Sequence, residues 1–472
     1  MSDIRDFGAV GDGQTDCALA IEHALSQHDG ILEFPKGEYL LSRTVQVHLE
    51  SCGPLTIKGI GGAARLIMAG AGPALRWVGN HQGTAAPSSV SDVTWERERS
   101  PKICDIEIVG THPEADGLEL FRCWQPNCVG LSIHNVRHGI RIAERNRNVI
   151  IDRCHIYHNT GVGVFLDQVN LHQINIVGSH ISYNRLGGIR IENSEVRNLQ
   201  ITGNDIEYNN AASHDVQPDV ASEPTAEIYI SCGEKGSMRE ITISSNTIQA
   251  TASPQGANIR LIGSPDVNHR IGMLTISGNL IGSQESNVWA TRCRGLVLSG
   301  NYIYGAEFRN VCLEECENVS LTGNCIGANP DYQVPVRQVS VRLERCDGVS
   351  LTGDIVEAMP PVDLSRVPQD HQPALALIEI DGCRSVAMSN CQLIDAIPSA
   401  IDVRESHLVT VDHCQMTNRR AETERQWTLQ WQGQGEYNAV RNCVIQSGTE
   451  GGIRVSEEAG VTQSGNLEVP VQ

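Results

Sequence analysis

From about residue 101 onward, apolar residues fall at every second position in short runs, and the runs return in a fixed order. Residues 148–152 (Asn-Val-Ile-Ile-Asp) are followed by Cys154, His155 and Ile156, then Asn159, then 163–166 (Gly-Val-Phe-Leu). The next unit repeats the order with 173–176 (Gln-Ile-Asn-Ile), His180 and Ile181, Asn184, and 188–191 (Gly-Ile-Arg-Ile). Alternation of this kind places one set of side chains inward and the other outward on a strand. Short strands recurring every ~22–40 residues with one turn type predict a solenoid of about a dozen stacked coils starting near residue 100. Later units carry an Asn at the turn: Asn204, Asn246, Asn279, Asn301, Asn324, Asn390 and Asn442. Asn tolerates the left-handed backbone such a turn needs, and stacked amides can hydrogen-bond from coil to coil. A leucine-rich repeat is excluded because no LxxLxLxxN frame persists.

The first hundred residues read differently. Residues 6–16 (Asp-Phe-Gly-Ala-Val-Gly-Asp-Gly-Gln-Thr-Asp) form a Gly/Asp turn segment. A helix over about 17–26 follows, with Ala18, Ile21 and Leu25 on one face and Thr15 or Asp16 as N-cap. Strand-like runs come at 30–34, 39–41, 44–48 and 55–59, with Phe-Pro-Lys-Gly-Glu-Tyr at 34–39. This arrangement resembles the N-terminal segment of pectate-lyase-superfamily proteins. The resemblance implies an all-β, right-handed parallel β-helix with a short N-terminal capping helix, and a polysaccharide-active role. It divides the chain into a cap with first coils and an early loop (1–100) and the β-helix proper (101–472). An open coil end exposes a sheet edge, which is why a cap is needed. The catalytic signatures of polygalacturonase-like hydrolases, alginate epimerases and pectate lyases are missing, so the resemblance covers the fold and not a known catalytic set.

Composition fits this picture. Aromatic residues are 4% of the 472, and Gly is abundant, which suits narrow coils filled with Val, Ile and Leu. A formal net charge of −20 argues against nonspecific binding to nucleic acid or anionic membrane. Positive charge is nearly all Arg, with Lys only at Lys36, Lys58, Lys102 and Lys235. Arg suits bidentate gripping of carboxylates and structural ion pairs alike. The 16 Cys sit mostly at repeat positions. Cys293, Cys316, Cys346 and Cys383 form one expected ladder, and Cys154, Cys325, Cys391, Cys414 and Cys443 another, as free buried thiols. No CxxC pair has zinc spacing. No leader opens the sequence and no apolar run reaches membrane length, so the chain as given reads as soluble and cytoplasmic, or secreted if a leader has been removed.

Candidate chemistry lies on the outward positions of one strand per coil. The first outward column reads Glu119, Arg141, Phe165, Arg190, Tyr229, Arg260, Trp289 and onward; the second contains Asp167 and Glu192. Carboxylates and Arg can handle hydroxyls, acid groups and protons, and aromatic faces can stack on sugar rings. A long insertion at 209–227, holding His214 and Glu227, falls beside these columns. Asp167, Glu192 and Arg190 are the expected catalytic residues. Arg141, Phe165, Tyr229, Arg260, Trp289, His214 and Glu227 are the expected substrate contacts, and Glu119 or Glu227 offers a wider carboxylate pairing. His138 is a further acid–base candidate, whereas His155, His172 and His180 read as structural. The competing reading is a cross-strand lattice of ion pairs.

The expected function is a glycoside hydrolase cutting a poly- or oligosaccharide in a groove on one sheet. One alternative is a polysaccharide lyase or epimerase acting on a uronic-acid polymer, with Arg141 or Arg190 taking the proton and Ca²⁺ as cofactor. Another is a non-catalytic sugar-binding or spike-like protein. A hydrolase needs no cofactor. A homotrimer is the expected assembly if the chain behaves like other side-by-side solenoids.

Overall fold

Alternating burial along each strand decides the architecture. In the strand Val164–Val177, Val164, Leu166, Leu171, Ile174 and Ile176 are fully buried while their neighbours face out. Apolar side chains on one face need a partner surface, and each strand finds it in the coil. The computed structural model describes residues 2–60, 62–84, 86–214, 224–234, 236–327, 329, 339–358, 374–419 and 425–470. It divides into two compact units, one of Met1–Thr242 with Asp266–His269 and one of Ile243–Pro265 with Arg270–Gln472.

In the first unit, Ile140–Asp152 pairs in parallel with Val164–Val177, and a register shift between Ala143 and Arg145 turns the long strand a corner. Its two halves continue separately into Ile189–Glu192 and Glu195–Thr202. The short strands Ser132–His134, His155–Tyr157, His180–Ser182 and Asp205–Glu207 stack as the third face. The second unit repeats the scheme: Ser286–Thr291, Arg309–Glu314 and Val339–Glu344 stack on one face. Cys293–Ser299 and Glu317–Thr322 stack on the next, and Leu280–Gly282 and Tyr302–Tyr304 on the third. Three parallel strands per coil, all connected in sequence, make the fold an all-β, right-handed parallel β-helix.

The coils begin earlier than the repeat suggested. Val45–His48 pairs with Gly72–Val78, which pairs with Ala115–Phe121, so stacking runs unbroken through residue 100. Thr56–Gly59 and Ala64–Met68 likewise pair with strands beyond it. The periodicity is obscured there because the segment 79–100 interrupts it with the short helix Asp92–Arg97. The N-terminal helix is Ala18–Gln27, with Ala18, Ile21, Ala24 and Leu25 buried. Its N-cap is Cys17 rather than Thr15 or Asp16, because Asp12–Asp16 is itself a strand pairing with Gly37–Leu41. Asp16 still accepts from the Ala18 N–H at 3.1 Å and from the Ser42 hydroxyl at 2.6 Å.

The turn Asn residues divide into two roles. Left-handed backbone belongs to the residue before the ladder position: Gly203, Ser245, Gly278, Gly300, Gly323, Asn390 and Asn442 all have positive φ. Asn390 and Asn442 therefore occupy the left-handed position, and Cys391 and Cys443 follow them inward. Asn204, Asn246, Asn279, Asn301 and Asn324 point inward and are buried. Within the second unit, Asn246, Asn279 and Asn301 each donate from Nδ2 to the Oδ1 of the next, at 2.9–3.0 Å. The series ends at Asp354, whose Oδ1 accepts from both the N–H and Nδ2 of Asn324. A carboxylate fits the last place because it only accepts; burial pushes its pKa up.

All 16 Cys are free, with Cys52 and Cys325 half-exposed and the rest buried. The ladder of Cys293, Cys316, Cys346 and Cys383 is buried as expected. Cys325 falls outside the second ladder, because Asn324 takes the inward position and Cys325 starts the next strand.

Candidate functional site

The outward columns of the first unit hold the expected side chains in consecutive register. The first column runs Gln46, Arg76, Glu119, Arg141, Phe165, Arg190, Tyr229. The second runs His48, Val78, Phe121, Ala143, Asp167, Glu192, Ser231. Asp167 and Glu192 are thus direct partners on adjacent strands, about 4.8 Å apart along the stack. The four leading positions, two in each column, went unrecognised in the sequence because they precede the clear repeat. Their signal was present: Val-Gln-Val-His at 45–48 has the same frame as Ile-Arg-Ile-Ala at 140–143.

Charge on this face is organised as a chain of ion pairs. Arg76 reaches Glu119 at 3.2 Å, Arg141 reaches Glu119 at 3.6 Å and Asp167 at 2.7 Å. Arg190 holds the Glu192 carboxylate at 2.6 Å from Nη2 and 2.8 Å from Nε. The lattice weighed against a site in the sequence is therefore present, and it offsets the repulsion between the two adjacent carboxylates. Glu119 is buried, at 7% side-chain exposure, whereas Asp167 and Glu192 keep 21% and 24%. Aromatic rings sit within the same columns. The Arg190 guanidinium lies 4.7 Å from the Tyr229 ring centre, and Phe165 lies 5.1 Å from His138.

His138 joins this group. Its Nδ1 accepts the Val162 backbone N–H at 3.2 Å, which leaves the ring proton on Nε2. Burial, reinforced by the nearby Arg137 and Arg141, lowers its pKa to about 4. At neutral pH it is an uncharged N–H donor. His134 belongs elsewhere: it binds Glu107 at 2.8 Å and stacks on Tyr157. His155 and His180 stack on each other on the third face, with ring centres 4.9 Å apart.

Glu227 does not serve as expected. It is buried at 1% exposure, and its two oxygens accept from the N–H and Nδ2 of Asn209 at 2.8 and 2.5 Å. It ends the amide series Asn159, Asn184, Asn209, and burial pushes its pKa well above the carboxylate range. A carboxylate consumed inside the coil cannot meet a substrate outside it, so Glu227 leaves the site and the wider pairing loses this partner. His214 ends the short 3₁₀ turn Ala211–His214, but its side chain and residues 215–223 lie outside the described residues.

Arg260 and Trp289 belong to the second unit, where they face each other with the guanidinium 4.0 Å from the ring centre. Their column continues through Arg342, Glu379 and Asp402. In this column the carboxylates are sealed, with Glu379 4% exposed and Asp402 1%, whereas Glu344 and Asp381 in the neighbouring column keep 23% and 33%. Arg404 binds Asp402 at 3.0 Å and Asp381 at 3.5 Å, and Arg342 reaches Glu379 at 3.5 Å. Burial raises the Asp402 pKa. Among the described residues, no group of three or more His, Cys, Asp or Glu is arranged to hold a metal ion.

A family model described as the right-handed beta helix region matches residues 100–218. No curated protein matches the sequence. Among solved structures, the Dettilon tailspike protein aligns with 95% of this chain and 67% of its own, at 14% identity and a TM-score of 0.41. The catalytic unit of an α-1,3-glucanase from Streptomyces thermodiastaticus aligns over 100% of this chain and 70% of its own, at 13% identity and a TM-score of 0.36. The A-module of an Azotobacter vinelandii mannuronan C-5 epimerase aligns over 100% of both chains, at 11% identity and a TM-score of 0.36. Likenesses this distant say nothing about substrate or reaction.

Proposed function

We propose that this chain is a carbohydrate-active enzyme that binds a poly- or oligosaccharide along the outward columns of the first unit and hydrolyses it between Asp167 and Glu192. The observation that carries the reading is the register of these two carboxylates on adjacent coils, flanked by Arg141, Arg190, Phe165 and Tyr229. The strand spacing of about 4.8 Å between their backbones is compatible with the ~5–5.5 Å carboxyl separation of retaining glycosidases. Asp167, tied to Arg141, suits the nucleophile. Glu192 suits the acid, provided that Arg190 swings from it to the sugar and lets it take a proton. His138 donates its Nε2 proton to a hydroxyl in the groove.

The test is the release of new reducing ends from a panel of polysaccharides. Asp167→Asn and Glu192→Gln each abolish it under this reading, with the fold intact. A product absorbing in the ultraviolet identifies a lyase instead. The second reading, non-catalytic glycan binding, is favoured by one observation: both carboxylates already hold an Arg. Binding without turnover, unchanged in both variants, decides for it.

A further inference from the structure

The same two columns lead into a cleft at the N-terminal coils. Gln46 and His48 stand at their head, on the strand Val45–His48, and both are exposed. Two adjoining cavities open there. One, of ≈ 580 Å³, is lined by His48, Glu50, Ser51, Val78, Asn80 and Arg97. The other, of ≈ 560 Å³, shares His48 and Ser51 and adds Gln46, Thr44 and Arg43. The helix Ala18–Gln27 and the loop bearing Asp92–Arg97 wall the space, so this end of the sheet is a cleft.

The charges in that wall are already satisfied. Glu22 takes both Arg43 nitrogens, at 2.5 and 2.7 Å. Arg97 donates to the Glu50 and Ser51 carbonyls, and Asn80 donates to Glu50 and Glu98. The Gln46 amide and the His48 imidazole have no side-chain hydrogen bond among the described residues. Arg43 is committed to Glu22, and Arg97 spends donors on two backbone carbonyls, so the lining favours hydroxyls over a carboxylate or phosphate. The amide and the imidazole offer polar atoms at the positions where a sugar hydroxyl would pair.

Resting on the groove reading above, we infer that this cleft is a distal saccharide subsite that takes a neutral sugar of the same chain. His48 and Asp167 are four coil steps apart in one column, about 19 Å. The subsite therefore acts only on oligosaccharides long enough to bridge that span.

The test uses the full chain and the Gln46→Ala/His48→Ala double variant. The probes are gluco-, manno-, N-acetylglucosamine and uronate oligosaccharide ladders from disaccharide to decasaccharide, followed by calorimetric binding and by turnover. For long neutral chains the variant loses affinity by about tenfold or more, as two hydrogen-bonding groups are removed. Short chains and kcat are unchanged, and thermal unfolding matches the parent. An affinity loss equal at every length, no loss at any length, a loss for uronates alone, or no binding of any ladder by the parent overturns the subsite. Failure of the hydrolase reading looks different: no ladder is cut, yet long neutral chains bind and the variant weakens them.

Discussion

The two outward columns use the same residue types to different ends. In the second column, Asp167 and Glu192 keep about a fifth to a quarter of their side chains in solvent beside Arg141 and Arg190, and Glu344 and Asp381 keep 23% and 33% beside Arg342 and Arg404. In the first column, Glu119, Glu379 and Asp402 are almost fully covered, with Arg141, Arg342 and Arg404 against them. Exposed ion pairs contribute little to stability and remain free to change partners. Covered pairs are costly to break and have no access to a ligand. An acidic residue on an outward column is therefore not in itself a site; access separates the reactive arrangement from the structural one.

The comparison can be broken most directly at the carboxylates of the first unit. Asp167→Asn or Glu192→Gln is expected to lower glycan turnover by about 10²–10⁴-fold, with unfolding stability changed by under ~1 kcal/mol. A large stability loss without a catalytic effect would merge the two columns into one structural class. The mirror experiment is Arg404→Ala in the second unit. It strands the buried Asp402 without its cation, while Glu379 keeps Arg342, and is expected to cost about 3–5 kcal/mol in denaturant unfolding, with turnover retained. Arg141→Ala, on the open face, is expected to cost under ~1 kcal/mol.

Acid sharpens the contrast through His81, a histidine of the first unit that is 2% exposed and packed 5.0 Å from the Trp124 ring. Burial, with Arg147 and Arg145 nearby, lowers its pKa to about 4. The unfolded chain binds that proton near pH 6.5, so its stabilising contribution is present above that pH and is lost as pH falls toward 4, by about 3 kcal/mol in total. The denaturation midpoint of His81→Leu is expected to depend less on pH across this window than that of the parent. The smallest effect is expected for Glu227→Gln. A ladder terminus inside the coil leaves glycan turnover within about twofold of the parent, a change near the ~0.4 kcal/mol that this ratio represents. A loss as large as that of Glu192→Gln returns Glu227 to the site.

Much of the face is legible in the sequence. The frame Gly-Ile-x-Ile-x assigns Arg141, Arg190, Asp167 and Glu192 to outward positions, and strand pleating leaves them no other choice. Glu227 was assigned to the 209–227 insertion, whereas it belongs to the strand Ala226–Ser231 and turns inward to Asn209, a contact that no alternation registers. Gln46 and His48 were passed over because 79–100 breaks the period between their coil and the later ones. His138 lies beside Phe165, and its tautomer depends on the Val162 N–H of the next coil, which the sequence does not register.

The fold, the inward columns and the pairing of Asp167 with Glu192 follow from the sequence alone, since period-two alternation and a recurring turn admit one stacking register. Burial of Glu379 and Asp402, the capture of Glu227 by Asn209, the left-handed residue preceding each ladder Asn and the cleft around His48 were decided only in three dimensions. Each depends on groups brought together by segments between the strands or by the neighbouring coil, and contacts of that kind leave no period in the chain.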